Sequence, residues 1–224
     1  MEPAINGNPR RYCVIPAAGR SSRMNAWKPL LPWGTTTVCG AVVETVVAAG
    51  LVPVLVAGYR APELEAAFAD RARLEFVLNR DWERGMLGSV RAGARRVAEL
   101  SLAEGGFEGF FVAPADMPGI PEAAFAAVYG AVRRRKDGDE EGDAPRAVFA
   151  SRNGALGHPV WVPAAFMPDM EGLDPGSRLR DFLLERAWSS VEADDDGIFE
   201  DVDTPDAYAA SLEAVSRRSV GNTH

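Results

Sequence analysis

The chain has 224 residues, a net charge of −8 and a hydrophobic share of 47%. That length and composition suit one domain with a sizeable core, and the acidic balance argues against a general nucleic-acid binder. Two cysteines, Cys13 and Cys39, make neither a disulfide framework nor a zinc site, and both read as buried thiols.

The charge is unevenly placed. Residues 136–145 carry a net −4 and residues 192–206 a net −8, so the remainder is +4. Between Pro3 and Val43 there is no acid, but there are five bases: Arg10, Arg11, Arg20, Arg23 and Lys28. An acidic protein with such a segment can still hold a polyanion locally. No apolar run approaches the ~20 residues of a membrane span, and the N-terminus lacks the order of a signal peptide. No membrane partner and a cytoplasmic location are the expectation.

Residues 1–10 read as a flexible arm and residues 11–218 as a single domain. Tyr12–Ala17 reads as a buried strand that runs into the small, polar turn Ala18-Gly-Arg-Ser-Ser-Arg-Met. A helix over Thr37–Ala49 ends at Gly50, and the unbroken apolar run Val52–Ala57 is a strand covered on both faces. The pattern then predicts a helix over Pro62–Phe68, a strand over Leu74–Leu78 and a helix over Leu87–Leu100. The strand Phe110–Ala115 follows, with a helix over Glu122–Arg135 and a solvated acidic loop about 136–145. Strands at Ala147–Ala150, Pro159–Val162 and Ser189–Glu192 alternate with helices over Ser177–Arg186 and Asp206–Arg217. This alternation predicts a three-layer α/β sandwich, a mostly parallel sheet with helices on both faces. Ligands of such sheets sit at the carboxyl ends of strands, so functional residues should follow strands.

Four segments carry candidate chemistry. The first, Ala17-Ala18-Gly19-Arg20-Ser21-Ser22-Arg23, ends a strand, with Lys28 close behind. It matches neither the P-loop nor the dinucleotide fingerprint. Its small residues let backbone N–H groups approach a phosphate, Arg offers a fork of donors and Lys a point charge. Second, Asp116 ends an apolar strand, placed either to hold Mg²⁺ or to cap the next helix. Third, Asp201 and Asp203 alternate, so an extended segment puts both on one side, where a cation would bind. Asp201 is the favoured metal ligand, because Asp203-Thr-Pro also reads as a helix cap. Fourth, His158 in Gly157-His-Pro-Val stands without a metal-ligand cluster and reads first as a residue fixing the turn before a strand.

In combination these motifs resemble the nucleotidyltransferase family of the molybdenum cofactor cytidylyltransferases and guanylyltransferases. Ala17-Ala-Gly-Arg-Ser-Ser-Arg-Met-Asn-Ala-Trp-Lys-Pro-Leu-Leu-Pro is similar to the family's AAGxSxRMGxxKxLLP. Asn79 with Gly85-Met-Leu-Gly-Ser-Val-Arg-Ala-Gly, Ala115-Asp-Met-Pro, Gly157-His-Pro-Val, Asp174-Pro-Gly-Ser-Arg and Asp201-Val-Asp-Thr-Pro follow in the family's order. Asn25 stands where the family has Gly, Ser177 where it has Ala, and Pro16 where it has Leu.

The resemblance implies a Rossmann-like fold of the nucleotide-diphospho-sugar transferase kind and Mg²⁺-dependent transfer of a nucleotide to a phosphate-bearing acceptor, with pyrophosphate released. It implies that Ala17–Ser22 hold the nucleotide, that Arg23 and Lys28 neutralise phosphates, and that Asp116 and Asp201 hold Mg²⁺. It places Asn79 and Ser89 near nucleotide or acceptor, and His158 and Arg178 on the acceptor side. In the family Ala-Ala-Gly accompanies cytidine use, so Ala18 points to CTP. The acceptor so implied is molybdopterin, with a molybdoenzyme or cofactor-insertion protein downstream. GTP, another phosphorylated acceptor, or a non-catalytic nucleotide-binding module are the alternatives.

Overall fold

The computed structural model describes residues 10–22, 24, 26–103, 106–136, 144–174 and 176–221. Most of the expected arm, most of the acidic loop, Arg23 and Asn25 lie outside the described residues.

The first strand, β1 (Tyr12–Pro16), is buried throughout. Tyr12 and Val14 point into one apolar core, Cys13 and Ile15 into the other. A period of two with no polar position is what a strand sandwiched between helix layers requires. Beside β1 lie β4 (Val52–Ala57) and, beyond it, β5 (Glu75–Leu78), both parallel to their neighbours. On the other flank β1 pairs in parallel with β6 (Gly109–Val112).

Beyond β6 the sheet departs from the expected pattern. Two predicted strands are one antiparallel hairpin, β7 (Ala147–Arg152) and β8 (Ala155–Pro163). Its turn is Asn153-Gly154, both at positive φ (51° and 80°), the backbone that twists two strands correctly and that Asn and Gly adopt cheaply. β8 pairs antiparallel with β6, and β9 (Trp188–Glu192) pairs in parallel with β7. The seven strands run in the order β5-β4-β1-β6-β8-β7-β9, so β8 alone opposes the rest.

Helices α1 (Val38–Ala48), α2 (Ala61–Ala67) and α4 (Glu122–Lys136) cover one face; α3 (Met86–Ala103), α5 (Met167–Glu171) and α6 (Leu179–Leu184) cover the other. Thr37 caps α1, its Oγ1 accepting from the Gly40 N–H at 3.1 Å. Gly50 at φ +73° follows the helix end, a position where a Cβ would be strained. A two-stranded ribbon, β2 (Pro32–Trp33) with β3 (Thr36–Thr37), precedes α1 and was not legible as strand. Trp33 packs with Val38 and Val202, and against α7 (Pro205–Gly221) through Tyr208. No helix among the described residues is long and apolar enough to cross a membrane.

Candidate active site

Connections leave β1 and β6 toward opposite flanks of the sheet, and a crevice opens above their carboxyl ends, as α/β topology dictates. The cleft has a volume of about 590 Å³. Its β1 wall is the turn: Ala17, Gly19, Arg20, Ser21 and Ser22 line it. Ser21 holds a left-handed backbone at φ 57°, and its Oγ accepts the Lys28 N–H at 3.1 Å. The Met24 N–H returns to the Ser21 carbonyl at 2.9 Å. The turn is thereby closed on itself, with local strain held by its own hydrogen bonds. Trp27 donates to the Gly19 carbonyl at 3.2 Å from behind.

Lys28 sits at the centre. Its Nζ donates to Asp116 Oδ2 and to Asp203 Oδ1, each at 2.5 Å, and its side chain is 10% exposed. Burial opposes the charged ammonium, but the Asp116 carboxylate, helped by Asp203, outweighs it and Lys28 titrates above an ordinary lysine. The Val202 N–H donates to the Asp116 carbonyl at 2.9 Å, which lashes residues 201–203 to the segment that follows β6. Asp201 and Asp203 both line the cleft. Partial burial raises the Asp201 carboxyl above its usual range, and the like charges of Asp203 and Asp116 add to the rise.

Three carboxylates around one ammonium leave a local charge of −2, which the raised Asp201 registers. Hard oxygen donors in excess of cations fit Mg²⁺ or Mn²⁺. Among the described residues no three acidic, His or Cys side chains form a ready cage for a metal ion. A metal held by these carboxylates would be completed by substrate oxygens and water, which is the usual Mg²⁺ mode.

Neither cap reading survives. Thr204, not Asp203, caps α7, its Oγ1 accepting from Ala207 N at 3.1 Å, and α4 begins at Glu122, well past Asp116. His158 is not a residue of the turn before a strand but lies within β8, lining the β8 wall of the cleft. Burial drops its imidazole pKa to about 4, a nearby Arg180 works the same way, and a bond with the Val112 backbone and the Asp116 charge oppose the fall.

Other expected residues sit elsewhere. Ala18 is buried behind the turn, its carbonyl accepting from Tyr59 N at 3.0 Å. Asn79 and Ser89 bond each other at 3.1 Å, and Asn79 Oδ1 accepts from the Asp81 N–H at 3.1 Å. None of these three lines the cleft, nor does Arg178, which stands at the N-cap of α6. Arg180, Leu156, Phe199 and Met86 line it instead. Nothing in their spacing announces this; the hairpin brings in Leu156, α6 Arg180, the segment after β9 Phe199 and the start of α3 Met86. Both cysteines are buried, and burial raises both thiols, Cys39 to about 12.

The turn and the lysine–carboxylate centre lie at the switch point of a mostly parallel sheet, and the chain is a nucleotidyltransferase by the family and the relative that it matches. The chain belongs to the family of the MobA-like NTP transferase domain, whose model matches residues 13–191. It is 30% identical over 201 residues to the molybdenum cofactor cytidylyltransferase of Escherichia coli K12, covering 90% of this chain and 95% of that one. Among solved structures it resembles a nucleotidyl transferase from Methanothermobacter thermautotrophicus (TM-score 0.72, 22% identity, 93% of this chain and 99% of that). It also resembles a Mycobacterium tuberculosis H37Rv protein in complex with manganese (TM-score 0.69, 22% identity, 92% and 100%). These two likenesses concern the fold.

Proposed function

We propose that the cleft transfers CMP from CTP to a phosphate-bearing acceptor, molybdopterin, and releases pyrophosphate. The observation that carries this reading is Lys28 bonded to Asp116 and Asp203 beside the Ala17–Ser22 turn. The full-length likeness to a cytidylyltransferase that acts on the molybdenum cofactor supports the choice of acceptor. In this reading an acceptor phosphate oxygen attacks the α-phosphorus, a bond to that phosphorus forms, and the bond to the β-bridging oxygen breaks. The attacking oxygen is already ionised, so the protein has no strong base to provide. Its task is alignment and charge neutralisation.

Backbone donors of the Ala17–Ser22 turn beyond Ala17, whose own N–H is given to the Val56 carbonyl, hold the triphosphate, with Arg23 and Lys28 neutralising its charge. Asp116 and Asp201 hold Mg²⁺, with Asp203 sharing Lys28. Bound there, the ion supplies charge stabilisation for the α-phosphate and the leaving pyrophosphate. Ala18, Asn79 and Ser89 shape the nucleotide side from behind the wall, and His158 belongs to the acceptor side. The product passes to a molybdoenzyme or insertion partner in the cytoplasm.

The test is pyrophosphate release with each of the four NTPs, Mg²⁺ and molybdopterin. CTP is expected to turn over fastest, and Asp116→Ala to reduce the rate at least ~10²-fold with the fold intact. Turnover with GTP or with a sugar phosphate instead replaces the substrate assignment. Binding of CTP with no pyrophosphate from any acceptor points to a nucleotide-binding module.

A further inference from the structure

Three described cations line the cleft, and their partners differ. Lys28 is held by two carboxylates at 2.5 Å, and Arg20 by Glu83 at 2.7 Å. Arg180 meets no carboxylate among the described residues. Its Nη1 donates to the Leu156 carbonyl at 3.0 Å, which ties the guanidinium to β8 where Arg180 lines the cleft, and leaves its other N–H groups without a carboxylate partner among the described residues.

Position gives that cation its meaning. β8 lies on the far side of β6 from β1, so the wall carrying Arg180 faces the triphosphate turn across Asp116. Beyond burial, the Arg180 charge is near enough to depress the His158 imidazole. The same wall exposes an apolar surface. Gly157 has no room for a Cβ, because the Ile198 carbonyl would stand 2.5 Å from it, so residues 198–199 pack directly on β8. Phe199, 38% exposed, is carried there beside Leu156.

The geometry points to Arg180 as the residue that anchors the acceptor's phosphate, with Phe199 and Leu156 receiving its body. The acceptor class so defined is a phosphate monoester on an apolar or planar group. A guanidinium pre-set by one backbone bond forms a charge-assisted fork with such a phosphate, and it does so without first breaking an ion pair. Arg178, two residues earlier at the N-cap of α6, is outside the wall and has no such role. The assignment rests on the transfer reading above, since it divides the cleft into donor and acceptor halves.

The experiment uses the full chain with Mg²⁺ and a saturating α,β-methylene analogue of CTP, which keeps free phosphate out of the triphosphate turn. Inorganic phosphate is the probe, and its binding is followed by calorimetry. Arg180→Gln is expected to weaken phosphate at least ~10-fold, Arg180→Lys to restore part of the loss, and Arg178→Gln to stay within about twofold of the parent protein. In turnover, Arg180→Gln raises the KM for molybdopterin and leaves the KM for CTP unchanged. Arg180→Gln binding phosphate like the parent, Arg178→Gln losing as much, or a parent protein that binds no phosphate overturns the assignment. Absence of turnover with molybdopterin alongside the expected phosphate results refutes the pterin assignment and leaves Arg180 in place.

Discussion

Lys28 and His158 show how a side chain's surroundings set its charge. Lys28 is one of two lysines in a chain whose other permanent cations are arginines, and it is the one placed between two carboxylates. A compact ammonium satisfies both acids at one point, which the planar fork of Arg does not. His158 is the reverse case, a base kept neutral, with burial lowering its pKa from 6.5 to about 4. The unfolded chain therefore binds the proton first. The stability that follows is fully present above pH 6.5 and is lost as pH falls from there toward 4. Replacing His158 with Gln should shrink the stability lost between pH 7 and pH 4.5, by on the order of 2 kcal/mol, measured as urea midpoints. Equal pH slopes for the two proteins would show that the imidazole is not desolvated in the fold. The other histidine, His224, is terminal and common to both proteins.

At the scale of elements, close approach decides more than propensity. Gly93 lies in α3, where Ala would be favoured by ~1 kcal/mol as a helix former. A Cβ there would stand 2.4 Å from Val14 Cγ1 and 3.0 Å from Val56 Cγ2, inside the sheet's own core. Overpacking of that kind costs about 1–3 kcal/mol, so Gly93→Ala should lower the urea midpoint despite the propensity gain. A higher midpoint would mean that α3 shifts outward freely. The central parallel strands β1, β4 and β6 were legible because each is apolar on both faces: Val52–Ala57 is a strand to the residue. The hairpin was not, although Asn153-Gly154 was there to be read, because the apolar runs Ala147–Ala150 and Pro159–Val162 stop well short of the turn that β7 and β8 reach. The β2–β3 ribbon is too short to show a period at all.

For the whole molecule, strand order divides the labour. The β5-β4-β1 half carries the turn, the β8-β7-β9 half carries His158 and holds Arg180, and Asp116 stands at the junction. Nucleotide alone should therefore protect one half. With CTP and Mg²⁺, amide exchange is expected to slow in residues 17–28 and 113–119 and to stay unchanged in residues 155–160. Equal protection across 155–160 would place the nucleotide over both halves.

The chain alone determined the alternation of strands and helices and the acid-free run of small residues and bases at the first turn. It also marked the carboxylates Asp116 and Asp201 to Asp203, because periodicity and strand ends are local properties. It did not determine that Asn79 and Ser89 would satisfy each other, that Thr204 would do the capping, or that Arg180 and not Arg178 would reach the cleft. Those outcomes depend on which residues far apart in sequence meet, and on the antiparallel turn of β8 that swings the Leu156–His158 segment over the end of β6. Side-chain type and spacing carry no record of that, since a hydrogen-bond partner or a facing wall is chosen by packing in three dimensions.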